Sequence, residues 1–272
     1  MKLTPEQIQE NWDKLIGIVE TTFEGERKDK LLEMYDYFKD RAMFAPASGV
    51  VYYHNAWPGG YVDHILNITE CSKKIYHMWK DMGGHTDEYT EESVVFCALH
   101  HDLGKLGDLT EDYYVPNESE WHRINQGKMY EYNDKLHYMT VTDRAVWLLN
   151  HFGIEMTQIE YLALRLTDGM YEDANKGYLM GFGEGKNLKS NLPLILHQAD
   201  MMATRLEKER YMFSKDSDIN YSEILNPELK EERKKEEQKS VETIKKAVST
   251  NKTPDILSDK SKDLFDELFG DK

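Results

Sequence analysis

Cysteine, positive charge and long apolar runs are all scarce in this chain, and each shortage removes a class of protein. The two cysteines, Cys71 and Cys97, exclude a disulfide framework. Neither has CxxC or other zinc spacing, so both read as small buried residues in apolar helical patterns. No stretch reaches the ~18 to 20 uninterrupted apolar residues of a membrane span, and the opening MKLTPEQIQE lacks the apolar core of a signal peptide. A soluble, cytoplasmic protein with no membrane partner is expected. Lysine and arginine number 34 against 50 aspartates and glutamates, a formal net charge of −16. That sign repels phosphate polymers and argues against nucleic acid bound over a broad basic face. It does not exclude a phosphate substrate if metal ions supply positive charge locally. Alternating strand patterns are also few and repeats are absent, so the fold class is all-α.

The helical patterns are clear. Thr4, Pro5, Glu6 and Gln7 form a capped start, followed by Ile8, Trp12, Leu15, Ile16 and Val19 at helical spacing. A second helix is expected around Leu31 to Phe38, and a loop from about Ala45 to Gly60. Periodicity resumes from Val62 to Trp79, and a continuous apolar body predicts a central helix from about Glu91 to Leu103. Residues 107–122 read as loop, Thr142 to Phe152 and Glu155 to Leu166 as helices, Gly169 to Asn191 as a polar connection, and Leu192 to Met212 as an apolar helix. The resulting organisation is N-terminal helices (1–44), a main domain (45–226), a charged solvated helix (227–247), and a linker with a terminal peptide (248–272). Residues 227–272 carry a net −1, so the acidity lies in the first 226 residues.

Histidine is plentiful: there are ten, several inside apolar segments where an unpaired imidazole is costly. The segment ALHHDLGK holds the strongest signal. On a helix, His101 and Asp102 both reach a metal at the helix end, with Lys105 one turn beyond His101. The bland alternative for a lone His-Asp pair is a buried couple satisfied by backbone. His64 lies in the preceding helix, after the turn Pro58-Gly59-Gly60. Asp200 lies in the apolar helix LPLILHQADMMA, where an unpaired buried carboxylate costs several kcal/mol and asks for a cation. Such a nitrogen and carboxylate set suits Mn, Fe, Co, Ni or Zn better than Ca, with Mg possible.

His, His-Asp and Asp on three successive core helices is the ligand order of the HD-domain metal-dependent phosphohydrolase superfamily, which this sequence resembles over about residues 45–212. The match is most similar to the HD domain of bacterial 3′-to-5′ exoribonucleases, through YYHNAWPGGYVDH, LHHDLGK and LHQAD. The resemblance implies an HD-domain helical bundle in which His64, His101, Asp102 and Asp200 hold one divalent ion. It further implies that His122, in EWHRINQG, and His151, in LLNHFG, join a second ion bridged by Asp102, although Asn150-His151-Phe152 stands where relatives often show two neighbouring histidines. Those exoribonucleases carry an N-terminal nucleic-acid-binding domain with no counterpart in the residues before the match, which weakens a polymer substrate.

The chemistry expected of such a site is phosphoester hydrolysis. A metal lowers the pKa of water from 15.7 towards about 7 and polarises the phosphoryl group. Asp102 orients that water, and Lys105 offsets charge on the phosphate oxygens. As a bland alternative, Lys105 is a solvated helix-end lysine. His54 and Trp57 are candidates to line the substrate mouth and stack on a base, and His197 to support the ligands from behind. Asp108, Asp168 and Glu172 are acidic near the mouth of such a site but, as solvated loop acids are common, are not counted among its residues. The terminal DLFDELF sets Leu264, Phe265, Leu268 and Phe269 on one apolar face. It resembles the sliding-clamp-binding peptides of T4-like phage proteins; the alternative is that it folds back on its own domain or a second copy. The expected substrate is a nucleotide, above all a (deoxy)nucleoside 5′-phosphate. Alternatives are a 3′-to-5′ exonuclease on short single strands, a non-catalytic metal- or nucleotide-binding module docked to a replication partner, and a di-iron oxygenase.

Overall fold

The first helix, α1 (Pro5–Thr22), begins with a reciprocal cap: Thr4 Oγ1 accepts the Gln7 N–H at 3.3 Å, and the Gln7 side chain accepts the Thr4 N–H at 2.9 Å. Its buried residues, Ile8, Trp12, Leu15 and Val19, form one stripe at helical spacing. The computed structural model describes residues 3–213 with Phe182 excepted. The charged segment 227–247 and the terminal peptide with Leu264, Phe265, Leu268 and Phe269 lie outside the described residues.

The chain continues through α2 (Gly25–Phe44), α3 (Gly60–Asp81), α4 (Glu91–His100), α5 (Glu120–Gln126), α6 (Val141–His151), α7 (Gln158–Arg165), the single turn α8 (Lys176–Leu179) and α9 (Leu192–Met212). The described residues form an all-α bundle. Helix α3 is its axis and packs against α1, α2, α4 and α9. Ile65 and Ile68 of α3, Phe96 and Leu99 of α4 and Ile195 of α9 are fully buried there. Removing such side chains leaves a cavity and costs about 2–5 kcal/mol. Cys71 and Cys97 are free and buried, as expected. Among the described residues no helix is long and apolar enough to cross a membrane.

Several boundaries differ from the sequence pattern. Helix α2 is longer than Leu31 to Phe38, because its N-terminal turn is charged and held by the Lys30–Glu26 pair rather than by apolar packing. Helix α4 ends at His100, and the chain turns through Asp102 (φ −105°, ψ 11°) into a 3-10 turn, Leu103–Leu106. Periodicity does not register that switch because Leu103 and Leu106 remain buried. Residues 107–122, read as loop, include β1 (Tyr114–Pro116) and the start of α5. Strand β1 pairs antiparallel with β2 (Tyr130–Tyr132), Tyr114 opposite Tyr132 and Pro116 opposite Tyr130. Three-residue strands are too short to display alternation.

The turn before α3 explains its two glycines. Gly59 has φ 82°, in the left-handed region that favours glycine. A Cβ on Gly60 would overlap the Asn55 carbonyl oxygen, which is already fixed by the Ala47 N–H at 3.1 Å. Gly60→Ala is therefore expected to destabilise the fold by about 1–3 kcal/mol, read from the urea midpoint.

Candidate metal centre

Four elements converge on His64, which is 1% exposed in the middle of the bundle. Its Nδ1 faces the Glu207 carboxylate of α9 at 2.9 and 3.1 Å. A carboxylate can only accept, so Nδ1 carries the hydrogen and Nε2 is left to face the site. The Asn67 side-chain amide donates to the same Glu207 at 2.9 Å and fixes it. A histidine oriented by a carboxylate behind it is the usual support of a metal-ligating imidazole. Glu207 was not among the residues expected from sequence, although a signal exists: it continues the buried α9 stripe Ile195, Ala199, Ala203 at a position where an apolar residue belongs.

His101, at the C-terminal end of α4, is also 1% exposed. Its Nδ1 donates to the Ala98 carbonyl at 2.8 Å, so Nε2 again points inward. That Nε2 is buried and has no hydrogen-bond partner. Asp102 Oδ2 lies 3.5 Å from His101 Nε2 and 3.5 Å from His64 Nε2. It also accepts from Lys105 Nζ at 2.6 Å. Burial opposes the Asp102 charge, but Lys105 and His101 hold its carboxyl well below the usual range. Burial likewise opposes the Lys105 charge, and Asp102 overcomes it and raises that pKa.

Asp200 approaches from α9, its Oδ1 3.7 Å from His64 Nε2. The expectation of a deeply buried carboxylate needs correction: its side chain is 28% exposed and accepts a hydrogen bond from Thr204 Oγ1 at 3.1 Å. Its convergence on His64, rather than a desolvation cost, brings it into the set. Asp168 is exposed, and it sits at a 340 Å³ cleft with His197 and Asp200. Its carboxyl pKa is raised by burial in that concavity and then by the charges of Asp102 and Asp200. His197 Nδ1 donates to the Thr167 carbonyl at 2.8 Å and steadies the segment that carries Asp168.

His54 stands over His64 with ring centroids 4.5 Å apart, and both its ring nitrogens are buried without partners. Burial, followed by the charges of His64 and Lys105, holds its pKa well below the ordinary value, so it is neutral. Trp57 is covered rather than lining a mouth: it is 7% exposed and its ring lies 5.7 Å from that of Tyr211. His122 and His151 do not join the cluster. His151 is exposed at the end of α6 and stacks on Trp147 at 5.8 Å, and His122 is half-buried on α5 against Trp121. Only one of the two histidine sets implied by the family resemblance is therefore brought together. His100 points away and is satisfied by the Phe96 carbonyl at 2.6 Å and Tyr35 Oη at 3.2 Å.

His64, His101 and Asp102 lie close enough together to hold a metal ion, as do His54, His64 and Glu207, and Asp200 stands beside the first set at 3.7 Å from His64 Nε2. The nitrogen-to-oxygen separations of 3.5 and 3.7 Å are close to the edges, about 3.0–3.5 Å, of a coordination shell with bonds near 2.1 Å. An ion held there would give the buried His101 Nε2 the partner that it lacks. Compared with protein-family models, curated proteins and solved structures, the chain matches none.

The metal-free site has a defined pH response. Burial works against a charged His64 ring, yet the Glu207 and Asp102 carboxylates outweigh it and push the pKa up to about 10. A pKa raised above the unfolded value of about 6.5 gives stability that is complete below that value and lost as pH rises through the folded one. In EDTA, the melting temperature is expected to fall from pH 7 to pH 10. With Mn²⁺ in place of the proton the fall is expected to be shallower, as thermal melts in both conditions would read.

Proposed function

We propose that this bundle is an HD-type metal-dependent phosphohydrolase that cleaves a phosphoester of a nucleotide, in particular a (deoxy)nucleoside 5′-phosphate. The observation that carries the reading is the buried, unpartnered His101 Nε2 converging with His64, Asp102 and Asp200. Those four residues would hold one divalent transition ion, Mn, Fe, Co, Ni or Zn, with Mg a further option. Bound there, the ion supplies Lewis acidity to water and to a phosphoryl oxygen.

The chain's own residues do the rest. Glu207 fixes the His64 ring, and the Ala98 carbonyl fixes that of His101. Asp102 stays ionised beside Lys105 and can accept the proton of an attacking water. Lys105 brings an ammonium to the phosphate oxygens as they gain charge. Water oxygen bonds to phosphorus as the P–O5′ bond breaks, and the proton taken up by Asp102 passes to the departing 5′-oxygen, giving nucleoside and inorganic phosphate and restoring the carboxylate. A single ion is the stoichiometry the geometry supports, since His122 and His151 stand apart.

The test is phosphate release from nucleoside 5′-phosphates, cyclic dinucleotides and short oligonucleotides with Mn, Co, Ni or Mg, together with elemental analysis of the purified chain. Bound transition metal with release from the 5′-phosphates is the expected result. A metal-loaded chain inert on the whole panel would overturn it, and activity confined to oligonucleotides would move the assignment to the exonuclease.

A further inference from the structure

Lys105 touches two places at once. Its ammonium is 2.6 Å from Asp102 Oδ2, while its side chain also lines a 630 Å³ cleft between the C-terminal end of α2 and the β1–β2 hairpin. That volume lies within the range of small-molecule sites, about 300–1,000 Å³. The cleft walls are aromatic: Tyr37 and Phe44 come from α2, and Tyr113, Tyr114 and Tyr130 from the hairpin region. Tyr37 and Phe44 are 53% and 59% exposed, and Tyr113, Tyr114 and Tyr130 are half-buried. Tyr114 and Lys105 line the same cleft, and the Lys105–Asp102 contact is what joins that cleft to the metal-ligand cluster.

The charges in the cleft give its two ends different roles. Arg41 is already occupied, donating to the Leu106 carbonyl at 3.0 Å and to that of Asp108 and pairing with Asp112, so it braces the wall. Lys105 provides the positive charge at the inner end, beside the cluster. Asp40, exposed on α2, adds negative charge to the lining. A ligand that fits carries an anionic group at the Lys105 end and an uncharged flat ring among the aromatic side chains. A strand leaving past Asp40 would bring further phosphates against a carboxylate.

We propose that this cleft is the nucleoside half of the site: base and ribose lie among Tyr37, Phe44, Tyr114 and Tyr130, and the 5′-phosphate lies at Lys105 and the metal ligands. The proposal rests on the phosphohydrolase reading for the identity of the phosphate group. It adds where the leaving group sits and why a mononucleotide is preferred to a polymer. Stacking on exposed rings tolerates every base, so a broad base range is expected.

The experiment separates the two readings by measuring binding without turnover. The full chain is dialysed in EDTA against each of the four ribonucleoside 5′-phosphates and against ribose 5-phosphate, which lacks the base. The intact protein is expected to hold the nucleotides about 10-fold more tightly than ribose 5-phosphate, a ratio that Phe44→Ala and Tyr130→Ala each reduce severalfold. Phe44 is exposed, so its variant keeps the fold, and a melt confirms this for both. Equal binding of nucleotide and ribose 5-phosphate, or a ratio unchanged in both variants, would overturn the cleft assignment even if Mn²⁺-dependent phosphate release is found. Selective binding through the cleft with no phosphate release under any metal would instead uphold the cleft and refute the hydrolase.

Discussion

His101→Ala and Asp102→Ala are each expected to lower metal-dependent phosphate release by about 10³-fold or more, to the level of the metal-free chain. The size follows from the several kcal/mol of transition-state stabilisation that a Lewis acid supplies, at 1.36 kcal/mol per tenfold in rate. Each change removes an atom for which no other side chain substitutes: His101 supplies the unpartnered Nε2, and Asp102 faces both histidines at 3.5 Å. Folding is the obvious confounder, since His101 is 1% exposed. Asp102→Asn addresses it by keeping shape while removing charge. A variant that melts like the parent in EDTA yet releases phosphate at the parental rate would refute the assignment.

The second large effect concerns a residue that need not touch substrate. Glu207→Ala is expected to weaken metal binding about 10- to 100-fold, the range found when the group behind a ligating histidine is removed. Glu207→Gln retains an oxygen that can accept the His64 Nδ1 hydrogen, so its loss is expected to be smaller. Metal titration reads both, and a purely structural Glu207 would shift the melting temperature without separating the two variants in affinity. His64 is opposed by carboxylates at both ring nitrogens, with Glu207 at 2.9 Å and Asp102 at 3.5 Å. Removing Glu207 therefore also lowers the pH at which the metal-free protein loses the His64 proton.

Much of this architecture is legible in the sequence, for identifiable reasons. The α1 cap is local chemistry, a threonine and a glutamine three residues apart, and α9 is a long apolar pattern that begins at Leu192 and ends at Met212, as expected. His64 and Asp200 are polar residues within helices, His101 and Asp102 follow the apolar body of α4 directly, and the bundle brings the four together. What periodicity misses is what depends on partners distant in the chain. The β1–β2 pair joins residues on either side of α5, and its three-residue strands are stabilised by each other rather than by a local pattern. Asp168 reads as a solvated acid because its neighbours, Asp102 and Asp200, come from other helices. His122 and His151 show the reverse: their order in the chain suggests a second ligand pair, but His151 projects from the exposed end of α6. Glu207 is not legible because it lies among charged residues towards the end of α9, and only the burial of Ala199 and Ala203 on the same stripe marks its position as core.

The histidine next to the proposed ligand has a further consequence. His100 is clasped between the Phe96 carbonyl and Tyr35, and burial holds its pKa down to about 3, so it stays uncharged at physiological pH. It thereby fastens the end of α4 to α2, and His101 and Asp102 follow directly from that fastening. In small zinc domains the ion organises the polypeptide, and binding energy is consumed in ordering it. Here the ordering belongs to the apolar bundle, so an ion bound at the proposed site would dock onto side chains held by that packing. Exchange of one ion for another would then proceed by ligand substitution alone, with selectivity decided by the supply of metals and the hardness of the donor set rather than by folding.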